Sequence, residues 1–129
     1  VTVPESLRTL AAGLGEDLVL SEAFRTRRFG PEEISTSREA AVLVLLTDAP
    51  DPEVVLIERA AGLRKHAGQI AFPGGAAEAG ESPEEAALRE AWEEIALEPS
   101  SVTVLGQLPA ARIPVSRFHV HAVAAYWSG

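Results

Sequence analysis

Apolar residues recur along this chain in two different periods, and the changes of period mark out its elements. Ala40 to Leu46 is an unbroken apolar run, the pattern of a buried strand, and Thr47 to Pro52 supplies the turn residues that stop it. Glu53 to Arg59 predicts its partner, giving a hairpin around Asp48-Ala49-Pro50-Asp51-Pro52. Farther on, Val102 to Leu108 and Phe118 to Trp127 predict two more strands, joined by a loop containing Pro109, Arg112 and Pro114. Helical spacing appears in residues 4–13, where Leu7, Leu10, Ala11 and Leu14 follow Pro4 and Gly13 and Gly15 stop the run. A second short helix is predicted over 21–30, carrying Arg25, Arg27 and Arg28. These arginines pair with Glu16, Asp17 and Glu22, are solvated, or contact a phosphate.

The segment from Gly75 to Leu97 carries the chemistry. Ser82 is a natural N-cap, Pro83 suits the first helical position, and Glu85 completes a capping box, so the start of this helix is fixed. Glu90, Glu93 and Glu94 then fall at i, i+3 and i+4, which stacks three carboxylates on one face. Leu88, Ala91, Trp92 and Ile95 form the other face, which is predicted to dock on a core. Like charges at i, i+4 cost roughly a few tenths of a kcal/mol, so a cation or Arg89 is needed to offset the repulsion between Glu90 and Glu94. Hard cations such as Mg²⁺ or Mn²⁺ take carboxylate, carbonyl and water oxygens. Gly74 and Gly75 let backbone carbonyls come close to a bound ion or phosphate.

This segment resembles the Nudix box, Gly-x5-Glu-x7-Arg-Glu-U-x-Glu-Glu-x-Gly-U with U aliphatic. Gly75, Glu81, Arg89, Glu90, Glu93, Glu94 and Leu97 occupy its defined positions. Ala91 is a small residue at a U position, and Ala96 replaces the last glycine, which argues against a left-handed helix exit there. The resemblance implies metal-dependent hydrolysis of a nucleoside diphosphate linked to another group, with water attacking one phosphorus. It makes Glu93 and Glu94 the main metal ligands, Glu90 a further ligand or the general base, and the Gly74 carbonyl an additional ligand. Arg89 orients the acids through a salt bridge, and Glu81 pairs with Arg89 to hold the loop to the helix.

Immediately upstream, Arg59, Ala60, Arg64, Gly68, Phe72, Pro73, Gly74 and Gly75 fit Arg-[Ser/Ala]-x3-Arg-x3-Gly-x3-Phe-Pro-Gly-Gly. This is similar to the motif of Nudix hydrolases that cleave coenzyme A. That motif opens Leu-Leu-Thr, whereas Val55, Leu56 and Ile57 stand here, so the threonine hydroxyl is missing. Arg64, Lys65 and His66 then form a cationic loop suited to the 3′-phosphate of a coenzyme A-like substrate, with Arg59 and Gly75 beside it. Ordinary solvated loop charge is the alternative for Arg64 and Lys65, and a hydrogen-bonded loop histidine for His66.

Composition bounds these readings. With 129 residues, 47% of them hydrophobic, the chain can bury one core and not much more. The absence of cysteine excludes a disulfide scaffold and a thiolate metal site, and fits a cytoplasmic protein. No apolar stretch is long enough to span a membrane. A net charge of −8 disfavours a nucleic acid duplex as partner. His119 and His121 alternate with Val120 and share a sheet face. Such a pair can ligate a metal, but hydrogen-bonded or surface histidines are the simpler reading, and the oxygen-rich helix is the better place for the ion the chemistry needs. Trp92 and Trp127 read as core aromatics, with Trp127 or Tyr126 stacking on a base as the alternative.

The fold expected is α+β, a Nudix fold with a mixed curved sheet between helices. A helical extension over 1–36 precedes a Nudix core over 37–129. No Asp or Glu follows Glu98, although many Nudix enzymes recruit a further acid there, which favours Glu90 as base. Gly129 comes straight after a strand pattern, where the resemblance implies further strand and a closing helix. The expectation is that the C-terminal part of the domain is missing, leaving the site open or completed by a second subunit in a homodimer. The expected substrate is coenzyme A or an acyl derivative. ADP-ribose or NADH is the alternative within the class, and a non-catalytic nucleotide sensor the alternative outside it.

Overall fold

The computed structural model describes residues 2–14, 38–47, 51–60, 62, 68–113 and 117–129. The order of elements is α1 (Glu5–Gly13), β1 (Arg38–Thr47), β2 (Ile57–Glu58), β3 (Ile70–Ala71), β4 (Gly74–Ala76), α2 (Pro83–Ile95), β5 (Val102–Gln107), β6 (Ala111–Ile113) and β7 (Phe118–Trp127). The apolar run of β1 lies in the interior of a mixed sheet ordered β4-β1-β7-β5, with β6 also on β7. β1 pairs parallel with β7 from Arg38↔Phe118 to Thr47↔Trp127, and antiparallel with β4 on its other edge. Coverage on both faces explains why β1 reads as continuous rather than alternating hydrophobicity.

Alternate residues of β1 face opposite helices. Ala41, Leu43 and Leu45, with Val123 and Ala125 of β7, pack against Ala86, Ala87 and Ala91 of α2. On the opposite face Leu46 and Tyr126 pack against Leu7 of α1. The sheet is therefore sandwiched between helices, as expected of a Nudix fold. Small alanines on α2 let it lie close to the strands, and this close approach positions its acidic side against β4.

Several sequence expectations are corrected in detail. Glu53 to Arg59 leaves β1 early: Thr47 and Val55 amides donate to the Glu53 and Leu45 carbonyls, after which Ile57 and Glu58 pair with β3. Residues 111–113, expected in a loop, form β6. Of the α1 positions only Leu7 is buried, and Leu10 is exposed. On α2, Ala91 and Leu88 of the predicted face pack on the core, but Trp92 is 47% exposed and Ile95 37% exposed, because Ala86 and Ala87 carry the rest of the packing face. Trp127 does pack against the core. The predicted 21–30 helix lies outside the described residues.

Candidate active site

Local chemistry fixes α2 at both ends. The Ser82 hydroxyl accepts from the Glu85 amide, the Glu85 carboxylate accepts from the Ser82 amide, and Pro83 follows, so the capping box is complete. At the other end Ala96 adopts φ 54°, a left-handed exit despite carrying a Cβ. The Leu97 amide donates back to the Ala91 carbonyl, and Leu97 is buried, so a buried hydrophobic contact holds the alanine where glycine would be relaxed.

Arg89 organises the acids. Its Nε donates to Glu81 Oε2 at 2.8 Å and Nη2 to Glu81 Oε1 at 3.1 Å, a two-pronged clamp across the loop. Nη1 donates to Glu90 at 3.0 Å and to both Glu93 oxygens at 3.2 Å, while Nη2 also reaches the Ala76 carbonyl at 3.0 Å. Bonding to Glu81 above all holds the guanidinium above its ordinary pKa, and the same bond, helped by the Glu78 amide, holds the Glu81 carboxyl below the usual range. Arg89 thus offsets the like-charge repulsion on this helix and joins helix, loop and β4.

The two glycines ahead of the helix have different reasons to be glycine. A Cβ on Gly74 would collide with the Ala41 carbonyl oxygen and the Val42 Cα of β1. A Cβ on Gly75 would lie 2.7 Å from Glu90 Cδ, so Glu90 rests against bare backbone. The Gly74 amide donates to Glu94 Oε1 at 2.8 Å. Partial burial pushes the Glu94 carboxyl pKa up, the Gly74 amide opposes this, and the Glu90 charge adds to it. A raised carboxyl beside other acids would be ionised by an incoming cation, which suits an all-oxygen donor set for Mg²⁺ or Mn²⁺.

A cleft of about 490 Å³ opens between the β2 segment and α2, lined among others by Leu56, Arg59, Glu94 and Ile95. Arg59 Nε is buried and has no hydrogen-bond partner among the described residues, and its charge is felt by Glu94. The structure therefore brings together Arg59, Gly74, Gly75, Arg89, Glu90, Glu93 and Glu94. Arg64, Lys65 and His66 lie outside the described residues. His119 and His121 are hydrogen-bonded, and their common partner is Glu39 on β1. The sequence reading missed Glu39, because only the parallel register of β1 and β7 places it beside two histidines far along the chain.

The fold and this Arg-centred acidic helix define the class, and the NUDIX domain family model matches residues 37–129: the chain belongs to that family. Among its relatives is the uncharacterized Nudix hydrolase NudL of Pectobacterium atrosepticum, 54% identical over 77 residues, which are 59% of this chain and 40% of that one. The NudL of Cronobacter sakazakii is 56% identical over 73 residues, 56% of this chain and 38% of that one. The matched region thus spans about 40% of the length of these curated relatives. Among solved structures, the Nudix hydrolase RenU of M. smegmatis superposes with a TM-score of 0.61 at 28% identity, over 71% of this chain and 62% of that one. The C. elegans Ap4A hydrolase shares the fold with a TM-score of 0.60 at 21% identity, over 72% and 70%.

Proposed function

We propose that this chain hydrolyses the pyrophosphate bond of a nucleoside diphosphate derivative with Mg²⁺ or Mn²⁺. Coenzyme A or an acyl-CoA is the substrate in this reading, giving 3′,5′-ADP and 4′-phosphopantetheine or its acyl form. The observation that carries it is the cleft shared by Glu94 and Arg59, with Arg89 gathering Glu90 and Glu93 on the same helix. A cleft lined by both a cation-holding carboxylate and a guanidinium matches the two needs of a pyrophosphate. Membership of the NUDIX domain family and relatives named Nudix hydrolase support the hydrolytic reading.

Glu93 and Glu94 hold the ion, with the Gly74 carbonyl as an added oxygen. A bound ion neutralises charge developing on the phosphate oxygens and lowers the pKa of the attacking water. Glu90, set against Gly75, takes the proton from that water or serves as a further ligand. Arg59 binds substrate phosphate from the cleft, and Arg64, Lys65 and His66 read the 3′-phosphate.

The test is a panel of coenzyme A, 3′-dephospho-coenzyme A, ADP-ribose and NADH, each with Mg²⁺ and with Mn²⁺, followed by product separation. Release of 3′,5′-ADP from coenzyme A is expected. Preferred cleavage of ADP-ribose or NADH would reassign the substrate, and binding without turnover of any compound would overturn hydrolysis in favour of a nucleotide sensor.

A further inference from the structure

We propose that Glu39, His119 and His121 form a second metal site, for a borderline divalent cation of the Zn²⁺ or Co²⁺ type, separate from the acidic face of α2. His119 and His121 project from alternate positions of β7 onto the sheet face that carries α2, and Glu39 stands beside them on β1 in register with His119. The carboxylate lies 3.3 Å from His119 Nδ1 and 2.6 Å from His121 Nε2, and the two rings meet edge to face at 4.6 Å. One donor atom from each residue lies within 4.8 Å of the others. A tetrahedral ion with bonds of about 2.0–2.2 Å would space its donors by about 3.3–3.6 Å, so small side-chain rotations convert this hydrogen-bonded cluster into a coordination shell.

The donor chemistry selects the ion. Two imidazoles and one carboxylate favour Zn²⁺, Co²⁺ or Ni²⁺, whereas the glutamates of α2 offer oxygen alone and favour Mg²⁺ or Mn²⁺. The surroundings supply a second, independent argument. A cleft of about 290 Å³ opens directly on Glu39 and His121, walled by Ala40, Ala77 and Pro83 with Glu81 at its side. Three protein ligands with a fourth position facing a cleft is the arrangement of a site that keeps a water or takes an anion. The histidine side chains are 22% and 21% exposed, sheltered enough to be held in place and open enough for an ion to enter.

The test uses the full chain, with Co²⁺ added in the presence of saturating Mg²⁺ that occupies the acidic helix. One Co²⁺ per chain with visible absorption bands of nitrogen-ligated, low-coordinate cobalt is expected, and Zn²⁺ should displace it. His121→Gln and His119→Gln should weaken Co²⁺ binding at least tenfold. Glu39→Gln, at a more exposed residue, should do the same with unchanged circular dichroism, which keeps the result readable if a histidine variant fails to fold. Glu93→Gln with Glu94→Gln should leave the cobalt spectrum intact even if hydrolysis is lost, so failure here and failure of the proposed activity are distinct. Wild-type Co²⁺ affinity in folded Glu39→Gln, or loss of the spectrum in the α2 double variant alone, would overturn the site.

Discussion

Gly75→Ala is the sharpest probe of the acidic helix. The added Cβ would sit 2.8 Å from Glu90 Oε1, where ordinary contact begins at 3.4 Å, so the carboxylate must retreat by about 0.6 Å. The displaced group is the end of a long side chain, and the loss is one hydrogen bond from Arg89, about 1 kcal/mol net, partly offset by the lower chain entropy of alanine in the unfolded state. Stability should therefore change by less than about 1 kcal/mol. Catalysis is less forgiving: a 1 Å misplacement costs roughly a hundredfold, so kcat should fall about ten- to thirtyfold. Gly74→Ala is the control, because its Cβ meets the β1 backbone, which cannot swing aside, and should cost about 3 kcal/mol. Urea unfolding of both variants, with steady-state kinetics of Gly75→Ala at saturating Mg²⁺, measures every term. Wild-type kcat in Gly75→Ala, or destabilisation equal to that of Gly74→Ala, would refute the placement of Glu90 against bare backbone.

Other outcomes follow from the site residues and from the proposed substrate. Glu93→Gln and Glu94→Gln should each remove most activity at limiting Mg²⁺ while keeping the fold, and wild-type turnover at limiting and saturating Mg²⁺ would end their assignment as ligands. The raised pKa of Glu94 means the folded chain binds more protons than the unfolded one between the ordinary carboxylate pKa and the higher folded one, so its contribution to stability falls as pH rises through that window. Without metal, thermal melts should then show Glu94→Gln gaining stability at pH 7 relative to pH 4, and a pH-independent difference from wild type would contradict this. Arg64→Ala should cut kcat/KM on coenzyme A about ten- to a hundredfold more than on 3′-dephospho-coenzyme A, and equal losses would remove it from reading the 3′-phosphate. Ala96→Gly should stabilise by about 0.5–1 kcal/mol by relieving the left-handed φ, seen as a Tm raised by a few degrees.

The helix cap and the continuous β1 were legible because each depends on residues close in sequence, whereas the Arg89–Glu81 clamp was legible only through the resemblance to the Nudix box, since Glu81 lies ahead of the helix. Hydrophobicity alone points Trp92 inward, whereas Ala86, Ala87 and Ala91 are the fully buried positions of the helix, Leu88 packs partly against the same core, and Trp92 falls to the exposed side. Ala96 shows the converse: local preference argued against a left-handed exit, and burial of Leu97 overrode it. The sequence could place His119 and His121 on one face, but Glu39 joins them through strand pairing, which no local pattern encodes.

The parallel pairing of β1 with β7 also sets a timetable for synthesis. Each residue of β1 meets a partner 80 positions later in the chain, from Arg38↔Phe118 onward. At about 5–20 residues per second, β1 would wait roughly 4–16 s between its own synthesis and that of its parallel neighbour. β4 arrives sooner and can occupy one edge, leaving the other edge of an apolar strand open to any extended chain nearby. The hazardous period for this protein therefore lies before β7 emerges, and slower elongation between β4 and β7 should lower soluble yield even where the finished fold is equally stable.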